Sequence, residues 1–117
     1  MEQNEKVIDI SETSIGNYGA KCVAAVLGLC EGLEEIRLSN CAIKDDGALE
    51  LFTEIENSDS ILILDLNKNP ITEKCFDGLN QLLTKNKKLQ RVELKGSSIR
   101  NKFQLNKIKQ HLSRIVI

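Results

Sequence analysis

The stretch LEEIRLSNCAIKDDGALELF, residues 33–52, decides the fold. Its first eleven residues place apolar side chains two apart and end in a turn, which predicts a short strand and the loop after it. The remainder predicts the start of an amphipathic helix. Cys41 stands in the loop, where a cysteine can serve either chemistry or architecture.

The same apolar pattern recurs every 28 residues along the chain. Glu5 is the one position where the first copy lacks the expected apolar residue. Such a period indicates stacked strand–helix copies, because one copy cannot bury its apolar face alone. The aligned apolar sets are Leu33, Ile61 and Leu89; Ile8, Ile36, Leu64 and Val92; Ile10, Leu38, Leu66 and Leu94; and Ile15, Ile43, Ile71 and Ile99.

The second half of each copy carries an apolar stripe with helical spacing. In chain order the stripes are Ala20, Val23, Ala24 and Leu27; Ala48, Leu51, Phe52 and Ile55; Phe76, Leu79, Leu82 and Leu83; and Phe103, Leu105, Ile108 and Leu112. We therefore predict an α/β solenoid of four β-α repeats, with a parallel sheet on the concave face and helices on the convex face. It forms a single domain over residues 1–117, with repeats at about 5–32, 33–60, 61–88 and 89–117.

Two segments, SIGNYGAKCVAAVLGL (residues 14–29) and AIKDDGALELFTEI (residues 42–55), resemble the turn and helix of ribonuclease-inhibitor-like leucine-rich repeats. Similar repeats occur in ribonuclease inhibitor, Ran GTPase-activating protein, NOD-like receptors and the C-terminal domain of tropomodulins. The resemblance implies a non-catalytic scaffold or adaptor that binds a protein partner. It leaves open a structural subunit of a cytoskeletal or organellar assembly, for example a tropomodulin-like actin cap, and a Ran-type GTPase-activating protein.

In this fold the strand residues between core positions face the concave side. We expect the candidate binding face to comprise Val7, Asp9, Glu35, Arg37, Ser39, Asn40, Ile63, Asp65, Asn67, Arg91, Glu93 and Lys95. Arg37 is predicted to pair with Asp9 and Asp65 in one lateral row. The face then forms either a charge ladder that supports the sheet or a polar binding surface with Val7 and Ile63 as apolar contacts.

The charges are strongly segregated along the chain. Residues 1–56 hold 12 acidic and 4 basic side chains, a net charge of −8, whereas residues 57–117 hold 5 acidic and 12 basic, a net charge of +7. Opposite poles predict oriented docking or a head-to-tail self-association that weakens with salt. The basic cluster fits either an acidic protein surface or a solvated end, and the lack of interleaved aromatic residues disfavours nucleic acid. It comprises Lys85, Lys87, Lys88, Arg91, Lys95, Arg100, Lys102, Lys107 and Lys109.

The four cysteines and one histidine do not show the short spacings of a metal site. Cys41 instead shares its repeat position with small polar residues, which predicts a structural ladder of Thr13, Cys41, Asn69 and Ser97 that bonds the loop and the next copy. His111 is expected to be an exposed, incidental residue of the last helix. No P-loop, G-x-S-x-G or H-E-x-x-H motif occurs, so we expect no enzyme, catalytic residue, metal or cofactor.

Two further expectations concern the ends of the solenoid and the compartment. Asn17, Asp45 and either Thr72 or Glu73 suit helix N-termini. The last copy needs a cover, which is either a closing strand from SRIVI (residues 113–117) or another subunit. The polar N-terminus MEQNEKVIDI resembles no targeting peptide, and no apolar run could span a bilayer, so we expect an intracellular, cytoplasmic protein with reduced thiols.

Overall fold

The computed structural model describes residues 6–117. Residues 1–5, which include Glu5 and the predicted start of the first copy, lie outside the described residues. Over residues 6–117, none of the helices has the length and apolar character needed to cross a bilayer. The strands are β1 (Val7–Asp9), β2 (Glu35–Arg37), β3 (Ile63–Asp65), β4 (Arg91–Glu93) and β5 (Ile115–Val116). The helices are α1 (Gly16–Leu27), α2 (Asp45–Ile55) and α3 (Phe76–Lys85), with 3₁₀ segments at Glu73–Cys75 and Lys102–Arg114.

The strands form one parallel sheet in the order β1-β2-β3-β4-β5. Ile8 pairs with Ile36, which pairs with Leu64, which pairs with Val92, so the register follows the 28-residue period without a slip. Each connection between successive strands runs through a helical segment, and successive helical segments pack against one another, so all of them lie on one side of the sheet. The α/β solenoid predicted from the repeat is therefore present.

The core lies between the sheet and the helices and runs through the copies. The central strand residues Ile36, Leu64 and Val92 are all fully buried. They belong to one core cluster with buried helix residues such as Leu51 and Phe52 of α2. Burial of one such side chain contributes about 1.5–3 kcal/mol. The sheet therefore depends on the helices for its stability, as expected for strands of only three residues.

The last copy departs from the prediction. It carries a 3₁₀ segment kinked at Ile108 instead of an α-helix, and the predicted stripe is wrong at two positions. Ile108 is buried, but Phe103 and Leu112 are 85% and 41% exposed. A 3₁₀ helix has three residues per turn, so residues spaced for an α-helix do not share one face. The alternative of a closing strand is confirmed, since β5 pairs parallel with β4, and Ile115 stands opposite Val92, 23 residues earlier.

Thr72 caps its own copy as expected, since its Oγ1 accepts the Lys74 N–H at 3.2 Å, whereas Asn17 and Asp45 act on the following copy. Asn17 Oδ1 accepts the backbone N–H groups of Lys44 and Gly47 at 2.8 and 3.2 Å, at the start of α2. Asp45 Oδ1 accepts the N–H of Thr72 at 2.9 Å, one copy further on. Since helix starts lie side by side in the stack, a polar side chain of one copy satisfies the N–H groups of the next.

Arg114 binds backbone carbonyl groups at the end of α3 and in the loop before β4. Its guanidinium donates to the carbonyl oxygens of Leu83 and Leu89 at 2.8 and 2.6 Å, and also to that of Asn86. Asn86 stands one period earlier and binds the carbonyls of Ile55 and Ser58 in the same way. Arg114 therefore ties the end of α3 to the closing segment.

Candidate protein-binding surface

The register aligns the predicted concave residues in lateral rows. Two of these rows follow directly from strand pairing, and a third continues past the strand ends, where Ser39 N–H donates to Ser11 Oγ and Lys95 N–H to Asn67 Oδ1. The structure thus brings the candidate residues of four strands onto one surface. The two paired rows are Val7, Glu35, Ile63 and Arg91, and Asp9, Arg37, Asp65 and Glu93.

Arg37 does not make the predicted pairs with Asp9 and Asp65. Its Nη2 lies 2.7 Å from Glu35 Oε2, two residues earlier on the same strand and face. The hydrogen bonds that the guanidinium donates to Glu35 hold the pKa of Arg37 above its ordinary value. The two aspartates instead accept backbone N–H groups two residues ahead: Asp9 from Ser11 at 3.0 Å and Asp65 from Asn67 at 2.9 Å.

A second same-strand pair forms on β4. Arg91 Nε donates to Glu93 Oε2 at 2.7 Å, and Asn67 Nδ2 donates to Glu93 Oε1 at 2.8 Å. Burial opposes ionisation of Glu93, but these hydrogen bonds outweigh it and lower the pKa of the carboxyl. Glu93 is therefore a compensated charge, held by its neighbours on two strands.

Asp65 lies at the centre of the surface and is only 9% exposed. Burial raises the pKa of its carboxyl, and the negative charge of Glu93 adds to that rise, whereas the Asn67 N–H and Arg37 lower it. Asp9, in the same row but at the sheet edge, has a lowered pKa because it accepts the Ser11 N–H in an exposed setting. Among the described residues, the nearby guanidinium groups of Arg37 and Arg91 are each engaged by a glutamate, so Asp65 is the least compensated charge of its row.

The loops after strands β1 to β4 form a rim that contains the predicted residue Asn40 and three residues that the sequence analysis missed. Glu12, Asn40, Lys68 and Gly96 stand 28 residues apart, and each has a positive φ between 53° and 69°. Asn40 Nδ2 donates to Glu12 Oε2 at 2.7 Å, which links two copies along this rim. Gly96 was the sequence signal for this rim, because a glycine favours a left-handed backbone and the 28-residue period carries that conformation to the equivalent position in each copy.

Two members of the predicted ladder, Cys41 and Asn69, bond through their side chains to the preceding copy instead of the next one, whereas Ser97 is only partly buried. Cys41 is fully buried, and its Sγ donates to the carbonyl of Ile10 at 3.2 Å. Asn69 is also buried, and its Nδ2 donates to the carbonyl of Leu38 at 2.8 Å. Thr13 is exposed, because in the described chain no copy lies before it. Burial raises the pKa of the Cys41 thiol, which keeps it protonated and suits a structural role.

Other chemistry-bearing side chains lie apart from the concave face. His111 is not exposed as expected: it is 6% exposed, and its Nε2 lies 3.1 Å from Thr84 Oγ1. All four cysteines are free thiols, and burial raises the pKa of Cys75 to about 12. Within residues 6–117, no group of three or more His, Cys, Asp or Glu side chains is placed to hold a metal ion.

Comparison with known proteins agrees with this architecture. Residues 30–52 match the family described as Leucine Rich repeat. Leiomodin-1 Actin-Binding Site 2 (ABS2) is a similar solved structure, with a TM-score of 0.83 and 18% sequence identity over 92% of this chain and 63% of that one. The chain therefore has a leucine-rich-repeat fold.

A curated relative is similar over part of the chain. Centrosomal protein of 78 kDa from Xenopus tropicalis is 30% identical over 66 residues, which are 56% of this chain and 9% of that protein. The chain thus spans about a tenth of the curated relative and less than two thirds of the solved structure.

Proposed function

We propose that this leucine-rich-repeat chain is a non-catalytic adaptor whose concave face binds a protein partner. The binding face consists of the twelve residues predicted above, with Asp65 at its centre. The rim residues Glu12 and Lys68 extend it. The four copies, at about residues 5–32, 33–60, 61–88 and 89–117, act as one domain.

The state of Asp65 is the observation that carries the proposal. A carboxylate with 9% exposure and a raised pKa costs stability at neutral pH, because burial penalises the charged form. Arg37 stands opposite Asp65 on the neighbouring strand, but its guanidinium is bonded to Glu35, so no cation of the described residues forms an ion pair with Asp65. Perturbed charges of this kind concentrate at functional sites, so Asp65 fits a surface whose missing cation is supplied by a partner's Lys or Arg.

The test is affinity capture from native extract with a charge-altered concave face. We would compare the wild-type chain with the triple variant Arg37→Glu, Asp65→Asn and Arg91→Glu. The matched control is Lys21→Glu, Glu50→Gln and Lys74→Glu, which changes net charge equally at exposed convex positions. The concave variant should lose a stoichiometric protein that the wild type and the control retain. Retention of that protein by the concave variant would remove this face from consideration.

A structural subunit of a cytoskeletal assembly is the second candidate. It is favoured by two similar proteins, one named as an actin-binding site and the other as a centrosomal protein. A tropomodulin-like actin cap is one form of it. Co-sedimentation with actin filaments and the rate of filament elongation from each end test the actin form. Absence of both binding and an effect on elongation would end it.

Three finer assignments accompany the proposal. The 28-residue copies with helices of 10–12 residues favour the ribonuclease-inhibitor-like subfamily. An intracellular, cytoplasmic location fits the four free thiols. A Ran-type GTPase-activating role ranks last, because no position can be matched to that family's catalytic residues. A GTP hydrolysis assay with candidate GTPases tests it, and no acceleration would exclude it.

A further inference from the structure

An open apolar groove lies at the N-terminal end of the solenoid, between β1 and α1. It has a volume of about 210 Å³ and is lined by Ile8, Ile10, Cys22, Val23 and Val26. The surface that these described residues present to the groove is entirely apolar. Val26 is 47% exposed. The groove is separate from the concave face.

The groove is the unfilled counterpart of a contact that recurs inside the molecule. Ile36 and Leu38 are the equivalents of Ile8 and Ile10 one copy later, and both are fully buried. Copy one covers them, whereas Ile8 and Ile10 are only partly buried in the described chain. The groove therefore has the form of one side of a contact between successive repeats, and the exposed end of another repeat stack would fill it.

The C-terminal end of the same chain presents matching features. Leu112 and Ile117 are 41% and 39% exposed there, beside the closing strand β5. In the described chain β5 pairs with β4 only, and β1 pairs with β2 only, so the sheet has one unpaired edge at each end. The two edges face opposite directions along the stack, and all strands are parallel. The β5 edge of one copy of the chain could therefore pair with the β1 edge of another, and the parallel sheet would continue across the contact.

We propose that the N-terminal groove receives the C-terminal end of a second copy of this chain, in a head-to-tail contact. Charge supports this occupant over an unrelated apolar protein, because the copy at the N-terminal end, residues 1–32, carries a net charge of −3 and the copy at the C-terminal end, residues 89–117, a net charge of +6. Joining unlike ends brings opposite charges together, whereas joining two N-terminal ends would bring like charges together. The contact does not use the concave face, so this proposal and the adaptor role can be tested independently of each other.

The test is the oligomeric state of the full chain by sedimentation velocity across a concentration series, at about 50 mM and about 500 mM salt. We expect reversible self-association that weakens at the higher salt. Val26→Glu, at the groove, should weaken it at least about tenfold, since one charge in an apolar contact costs more than about 1.4 kcal/mol. Ala25→Glu is the matched control, because it adds the same charge to an exposed position of α1 outside the groove lining and should leave the association within about twofold of wild type.

A mixing experiment identifies the geometry. Leu112→Glu should also abolish self-association, because it alters the other end. Val26→Glu retains an intact C-terminal end and Leu112→Glu an intact groove, so an equimolar mixture should form a dimer that neither variant forms alone. Circular dichroism confirms that each variant is folded, as expected for partly exposed positions.

Three results would overturn the proposal. One is a monomer at low salt at every concentration. Another is self-association that Leu112→Glu leaves intact while Val26→Glu abolishes it, which indicates a contact between two N-terminal grooves. The last is a failure of the mixture to form a dimer when both variants are folded.

Discussion

Asn69 binds the backbone of Cys41, the residue one copy before it: Asn69 Oδ1 accepts the Cys41 N–H at 2.9 Å. The same oxygen accepts the N–H of Ile43 at 3.0 Å, and Asn69 Nδ2 donates to the carbonyls of Leu38 and Leu66. All these groups are buried away from water. One amide therefore joins two copies where their loops meet.

We predict that Asn69→Ala destabilises the fold by at least about 3 kcal/mol, because several buried backbone groups lose their partner at once. Urea denaturation measures the change. Thr13→Ala is the control at the same repeat position, where the side chain is exposed, and should cost less than about 0.5 kcal/mol. A similar loss for both variants would contradict the account of Asn69 as a joint between copies.

The cysteines should differ in their rates of alkylation in the folded protein. Cys22 is exposed and should react first, whereas Cys41 and Cys75 are buried, with pKa values that burial raises. Mass spectrometry after timed alkylation measures each site. All of them should react rapidly in denaturant, where burial no longer protects them. Rapid modification of Cys41 in the folded state would show that it is a reactive thiol and not a structural one.

Asp65→Asn should stabilise the protein at neutral pH. Folding raises the pKa of the Asp65 carboxyl. The stability that this carboxyl contributes is therefore fully present below its pKa in the unfolded chain and is lost as pH rises through its pKa in the folded protein. Asparagine keeps the Oδ1 that accepts the Asn67 N–H and removes the buried charge. Urea denaturation of both proteins from pH 3 to pH 8 should show the variant gaining its advantage as pH rises. A variant less stable than wild type at pH 7 would show that the charge of Asp65 is compensated.

His111 should titrate below its ordinary pKa of 6.5, because burial and the positive charges of Arg114 and Lys87 disfavour its protonated form. It is the only histidine, so a single imidazole signal in a proton NMR titration reports it. Because folding lowers the pKa of His111, the stability that its neutral imidazole contributes is fully present above its pKa in the unfolded chain. That contribution is lost as pH drops through its pKa in the folded protein. His111→Gln should remove this part of the pH dependence. A pKa at or above 6.5 would contradict the burial of the imidazole.

The repeating part of the fold could be predicted because apolar positions such as Ile36, Leu64 and Val92 recur without insertion or deletion. A fixed period sets strand register directly, since equivalent residues become neighbours in a stack. The last copy could not be predicted in the same way. Its apolar residues fit an α-helical stripe, but the segment adopts a 3₁₀ form, which buries His111 and exposes Phe103.

The membership of the concave rows followed from the period, but the pairing within them did not. Arg37 has acidic residues both beside it and along its own strand, so sequence spacing cannot rank the possible pairs. In the structure Arg37 binds Glu35, whereas Asp9 and Asp65 accept backbone N–H groups. The central position of Asp65 was predictable, and its low exposure was not, because that depends on the side chains packed around it.

Site-specific photo-crosslinking in native extract tests the proposed binding face most directly. A photoreactive benzoylphenylalanine at Ser39, on the concave face, should capture a discrete protein partner. The same residue at Glu50, exposed on the helical face, should not capture that protein. Capture from Glu50 and not from Ser39 would contradict the account and move the binding surface to the helices.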